Sequence, residues 1–166
     1  MRYRFNIATL GRWDPELGLH IIRTEELGLP QASSSDDIQA TALLGEWSRG
    51  RIALEAPEDV LLAEIDASIQ GVLRRDVLEH YLSNSGRTFD DEPSSWGALG
   101  PLAVAPTDGR TVLIDGNHRW ACALIEGKAT FRAQILRPGA LFPTGTDWGQ
   151  MLQSQLTEGQ RGAARS

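Results

Sequence analysis

The sequence predicts an α+β domain, a small mixed sheet with helices packed on it, and three observations carry that expectation. Residues 111–127 run from a β-branched and aliphatic stretch (Thr111, Val112, Leu113, Ile114) through a polar, glycine-containing turn into a helical pattern. Residues 101–105 form an apolar strand before it, and the link Pro106-Thr107-Asp108-Gly109-Arg110 is a hairpin signal, although longer than the tightest two-residue form. Residues 130–136 supply a further strand. The order strand, hairpin turn, strand, helix, strand over residues 101–136 is that of an α+β core.

From the N-terminus, residues 3–10 alternate polar and apolar side chains as a strand does, and Leu19, His20, Ile21 and Ile22 follow the Asp14-Pro15 turn as a second short strand. Residues 31–37, with Ser33-Ser34-Ser35, read as a loop; Asp36 or Asp37 then caps a helix over 38–49 whose apolar stripe is Leu43, Leu44 and Trp47. Strands are expected over 52–54 and 60–65, separated by Pro57. Helical spacing is expected over 70–83 through Val72, Leu73, Val77, Leu78, Tyr81 and Leu82, with Gly86 ending it. Residues 88–100, with Asp90-Asp91-Glu92 and Trp96, are a polar loop able to form a rim. After residue 136, a Pro/Gly-rich loop spans 138–146, a short helix 148–156, and residues 157–166 fray.

The 166 residues, 41% of them hydrophobic, make one domain over 1–166, with a core at about 60–136, an N-terminal elaboration over 1–55 and a tail over 138–166. Sixteen basic against 22 acidic residues give a net charge of −6, which repels a phosphate backbone and argues against duplex DNA as a partner. The one cysteine, Cys122, excludes an internal disulfide and fits a reducing cytoplasm; with only three histidines no metal cluster is indicated. Residues 1–6 lack the apolar core of a secretion signal, and no run approaches the roughly 20 apolar residues of a membrane span. A cytoplasmic protein is expected.

The chemistry concentrates at Asp115-Gly116-Asn117-His118-Arg119, where strand becomes helix. The first-turn N–H groups of a helix are unpaired and carry the positive end of its dipole, so they hold anions, typically phosphate. Asp115 is either the helix cap or a group that orients a metal-bound water or a substrate hydroxyl. Gly116 permits close approach, and Gly116 and Asn117 offer backbone donors or form a plain turn. His118 donates to a phosphate or shuttles a proton, unless it is structural; Arg119 forks onto a phosphate or pairs with a carboxylate. Ala121, Leu124 and Ile125 share a helical face, Gly127 stops the helix, and Cys122 reads as a small core residue.

The string Asp115-Gly116-Asn117-His118-Arg119, with its flanking hairpin, helix and strand, resembles the signature of the ParB/sulfiredoxin-like superfamily. The resemblance covers residues 99–136 and reaches upstream towards Val60, through the polar segment 66–70; residues 1–55 have no counterpart. It implies that Gly116, Asn117, His118 and Arg119 bind nucleotide phosphates, with ATP, ADP or CTP as ligand and Mg²⁺ alongside. Sulfiredoxins carry a catalytic cysteine where this chain has Asn117, and Cys122 lies four residues beyond His118, so sulfinic acid reduction is not implied. No segment after Leu136 is long enough for the DNA-binding domain of partition proteins. The branch with an Asp-Gly-x-His-Arg turn includes a kinase acting on free serine.

Phosphoryl transfer needs further carboxylates, and Glu64 and Asp66, at the end of the expected strand, are the best of several; alternation equally places Glu64 in solvent. Asp115, His118 and Glu64 are thus the candidate catalytic residues. Three functions stand open: a nucleotide-binding protein that hydrolyses a nucleoside triphosphate or passes phosphate to a small acceptor; a non-catalytic regulatory or protein-binding module of a plasmid, phage or conflict system, meeting its partner through the N-terminal segment and exposed tryptophans; and a DNA-associated factor or nuclease.

Overall fold

Leu102, Val104, Val112, Ile114 and Leu136 belong to one buried cluster while Ala103, Leu113, Phe131, Ala133 and Ile135 belong to another, so alternation along three strands demands cover on both faces of their sheet. The computed structural model supplies that cover in a mixed α+β arrangement. It describes residues 5–84, 101–105, 110–139, 142 and 146–165, with side chains as far as Thr157 in the last helix. The expected rim loop over 88–100 and most of the hairpin link lie outside these residues.

A three-stranded antiparallel sheet, β1 (Arg12–Asp14), β2 (Leu19–Arg23) and β5 (Val72–Arg74), has the order β1-β2-β5. A five-stranded mixed sheet contains β3 (Glu58–Leu61), β4 (Ala67–Ser68), β6 (Leu102–Val104), β7 (Val112–Asp115) and β8 (Thr130–Leu136), in the order β3-β8-β6-β7-β4. Helices α2 (Arg75–Ser83) and α3 (Asn117–Ile125) pack with the smaller sheet into one core, around Ile22, Leu73, Leu78 and Trp120. The other core, around Leu43, Leu102 and Trp148, is closed by α1 (Ser34–Ser48) and α4 (Trp148–Arg165). The first 55 residues therefore contribute to both cores: Ile22, Leu27 and Leu29 to the first and Ala40, Ala42 and Leu43 to the second.

Residues 62–66 carry the chain from β3 to β4, at opposite edges of the larger sheet and at opposite ends of its strands. Flat geometry would set Leu61 and Ala67 roughly 28 Å apart, beyond the roughly 21 Å that six residue steps can reach, so the sheet curls.

Strand 130–136 and the helix from Asn117 form as the sequence predicts, and β6 and β7 are antiparallel neighbours. Other expectations need correction. Within the expected strand over 3–10, Ile7–Thr9 is a 3₁₀ turn capped by the Asn6 side chain. Residues 52–54 form no strand; the strand expected over 60–65 is Glu58–Leu61, followed by a 3₁₀ turn over Leu62–Glu64. The helical stretch expected over 70–83 divides into β5 and α2, because Val72–Arg74 pairs with β2. Ser33, not Asp36 or Asp37, caps α1, in a reciprocal box with Asp36, so the helix starts four residues before Ile38. The terminal helix continues to Arg165 where fraying was expected.

Candidate functional site

β7 ends at Asp115, paired with Leu102, and the chain turns into α3 through Gly116 at φ +88°. A Cβ there would stand 2.5 Å from the Pro101 side chain, so both the left-handed backbone and the close approach require glycine. Of the two roles the sequence leaves open for Asp115, the helix cap is not the one it takes, since it is still part of the strand. Its Oδ1 instead accepts the N–H of Gly116 at 2.8 Å, and Gly116 occupies the cap position with no side-chain bond to the first turn. Gly116 thus has no free backbone donor to offer. Among the described residues the N–H groups of Asn117 and His118 meet no acceptor, while Trp120 N–H closes the first helical bond to Gly116.

Asn117 is 1% exposed, and its side chain serves the protein. Its Oδ1 accepts from the Ser68 hydroxyl, its Nδ2 donates to Gln70 Oε1 at 3.0 Å, and Ser68 Oγ in turn accepts the Gly71 N–H at 3.1 Å. These bonds fasten the segment after β4 to the start of α3. Such a buried polar network is satisfied only while every member is present.

His118 Nε2 accepts the backbone N–H of Arg74 at 2.9 Å, which places the ring proton on Nδ1 in the neutral form. The imidazole stacks on Tyr81, with centroids 6.4 Å apart and planes 17° from parallel. Burial lowers its pKa, the neighbouring Arg74 charge adds to this, and Asp76 and Asp115 act in the opposite direction. Arg119 follows, half-buried in the first turn of α3.

Glu64 is exposed on the 3₁₀ turn, and among the described residues it shares no hydrogen bond or ion pair with 115–119. Its charge acts on Arg137, after Glu58 and Glu55. Asp66 fixes the start of the site strand: its Oδ2 accepts Thr111 N–H at 2.7 Å, and its own N–H donates to Thr111 O at 2.8 Å. The structure thus joins Asp115 to Arg119 at one turn and uses Asp66 to hold the strand leading there. Arg74 was missed as a partner of this turn. Its contribution is a backbone N–H brought by β5, and no side-chain motif signals that.

A groove of about 300 Å³ runs between α1 and the β4–β7 edge, lined by Asp37, Thr41, Leu44, Ser48, Ile69 and Ile114 among others. Both of its sheet-side walls lead to the turn, since Ile69 precedes Gln70, the partner of Asn117, and Ile114 precedes Asp115. Among the described residues no group of three or more His, Cys, Asp and Glu side chains is placed to hold a metal ion, and no helix is long and apolar enough to cross a membrane. No family model, curated protein or solved structure matches this chain.

Proposed function

We propose that the chain binds a nucleoside di- or triphosphate at the β7–α3 turn. The observation that carries this reading is the first turn of α3, where among the described residues nothing caps the Asn117 and His118 N–H groups at the positive end of the helix dipole. Arg119 adds a guanidinium in the same turn, and His118 retains Nδ1–H as its donor. The groove beside the turn is at the lower end of the size range of small-molecule sites, and its apolar walls suit a base and ribose. The resemblance of residues 115–119 to the ParB/sulfiredoxin-like signature points to the same ligand class, with Mg²⁺ offsetting the phosphate charge. ATP, ADP and CTP are the candidates.

Binding is better supported than catalysis. A general base needs an available lone pair, and that of His118 is committed to the Arg74 N–H. Among the described residues Glu64 forms no hydrogen bond or ion pair with the turn, so a hydrolytic or phosphotransfer role rests on Asp115 with residues the ligand itself would bring near.

Calorimetric titration with ATP, ADP and CTP, with and without Mg²⁺, tests the reading. One of them should bind at about micromolar strength, and both Arg119→Ala and the groove-filling Leu44→Trp should weaken it by roughly tenfold or more. Absence of binding by all three under both conditions overturns it.

A further inference from the structure

Among the described residues the three-stranded sheet ends in an unpaired edge. β1 is its outer strand, and it shows Arg12 and Trp13 to solvent, Trp13 at 61% exposure, with Leu17 of the following turn at 62%. An outer strand of this kind presents unpaired N–H and C=O groups to any strand laid against it. Among the described residues the Arg12 side chain forms no hydrogen bond or ion pair, while the backbone of β1 pairs with β2. Asp14 uses Oδ1 for the N–H groups of Glu16 and Leu17, at 2.9 and 3.2 Å, and its Oδ2 accepts nothing among the described residues.

We infer that this edge pairs with the same edge of a second copy of the chain, antiparallel about a twofold axis through Trp13. Charge identifies the partner. In that register Arg12 of each copy stands opposite Asp14 of the other, giving two cross-strand ion pairs, and the two Trp13 side chains meet at the centre. Centring the pair on Arg12 or on Asp14 sets like charges together, and parallel pairing aligns Arg12 with Arg12 and Asp14 with Asp14. The three-residue strand Arg12-Trp13-Asp14 is therefore self-complementary in one antiparallel register, as an isologous contact must be. Alternate residues of a strand direct their backbone groups to opposite sides, yet pairing works with either phase, because residue 13 faces itself or 12 faces 14. Three strands from each copy then make one antiparallel sheet. This inference is independent of nucleotide binding.

The contact is small beside stable dimer interfaces, so association should emerge over about 10 to 500 μM. Sedimentation velocity of the full chain across that range should show a concentration-dependent shift from monomer to dimer. Arg12→Asp alone and Asp14→Arg alone should each stay monomeric to the highest concentration, whereas an equimolar mixture of the two restores both charge pairs and should form a one-to-one dimer. A wild-type chain that stays monomeric, an Arg12→Asp variant that dimerises like wild type, or folded variants that fail to associate on mixing would each overturn the inference. Asp14 also holds the hairpin turn, so if circular dichroism shows Asp14→Arg misfolded, Arg12→Asp decides the matter alone.

Discussion

His118 receives the Arg74 N–H through the nitrogen that an acid must protonate, so its role in the fold and its ionisation are opposed. Burial and the Arg74 charge hold its pKa below the usual 6.5, so between that value and the lowered one the unfolded chain binds a proton that the folded chain refuses. The stability contribution is complete above pH 6.5 and is lost as pH falls through the folded value. Urea unfolding followed from pH 7.5 down to pH 5 should therefore show declining stability, and His118→Gln, which keeps an acceptor but cannot titrate, should flatten the decline. An equal slope in the variant would show that the proton goes elsewhere. The sequence located this turn because a strand pattern, a glycine and a helical pattern meet there. It did not show which way each side chain turns: Asn117 faces inward because Ser68, 49 positions earlier, lies against it, and that proximity comes from the parallel pairing of β4 with β7.

Among the elements, α1 shows how one carboxylate can position a helix. Asp36 closes the box with Ser33 and accepts both the Nε and Nη2 of Arg110, at 2.8 and 2.9 Å, tying the start of α1 to the residues entering β7. The Arg110 bond outweighs the penalty of burial and holds the Asp36 carboxyl down at about 2. A lowered carboxylate stabilises above its unfolded value near 3.8 and loses that contribution as pH falls towards 2. Asp36→Asn should cost about 2 kcal/mol at pH 7 by chemical denaturation, with the gap to wild type closing between pH 4 and pH 2. A gap that persists at pH 2 would assign the loss to the cap instead. Legibility at this scale followed sequence distance. Residues 130–136 read correctly because Phe131, Ala133 and Ile135 alternate with Thr130, Arg132 and Gln134 in a segment clear of Gly127 and the following Pro138, whereas Val72–Arg74 reads as the start of a helix until β2, some 50 positions away, pairs with it. Residues 3–10 alternate like a strand, but the Asn6 side chain bonds to Ala8 N–H and turns the chain locally.

At the scale of the molecule, α3 connects the candidate site to the larger core, with Trp120, Ala121, Cys122, Ala123 and Ile125 packed among residues of both sheets and α2. Reaching Cys122 therefore requires opening that shared core, not a local loop. Its Sγ donates to Glu126 Oε1 at 2.7 Å, and burial, reinforced by that carboxylate, pushes the thiol up to about 12, so little thiolate exists at pH 8. A thiol reagent at pH 8 should modify the native chain on the order of 10³-fold more slowly than the unfolded one. The native rate should rise with low urea by the same dependence that governs equilibrium unfolding, because only the globally opened chain exposes the sulfur. A fast native rate, or one indifferent to urea, would mean that α3 detaches by itself, and a helix that detaches could not hold the first-turn N–H groups in place for an anion.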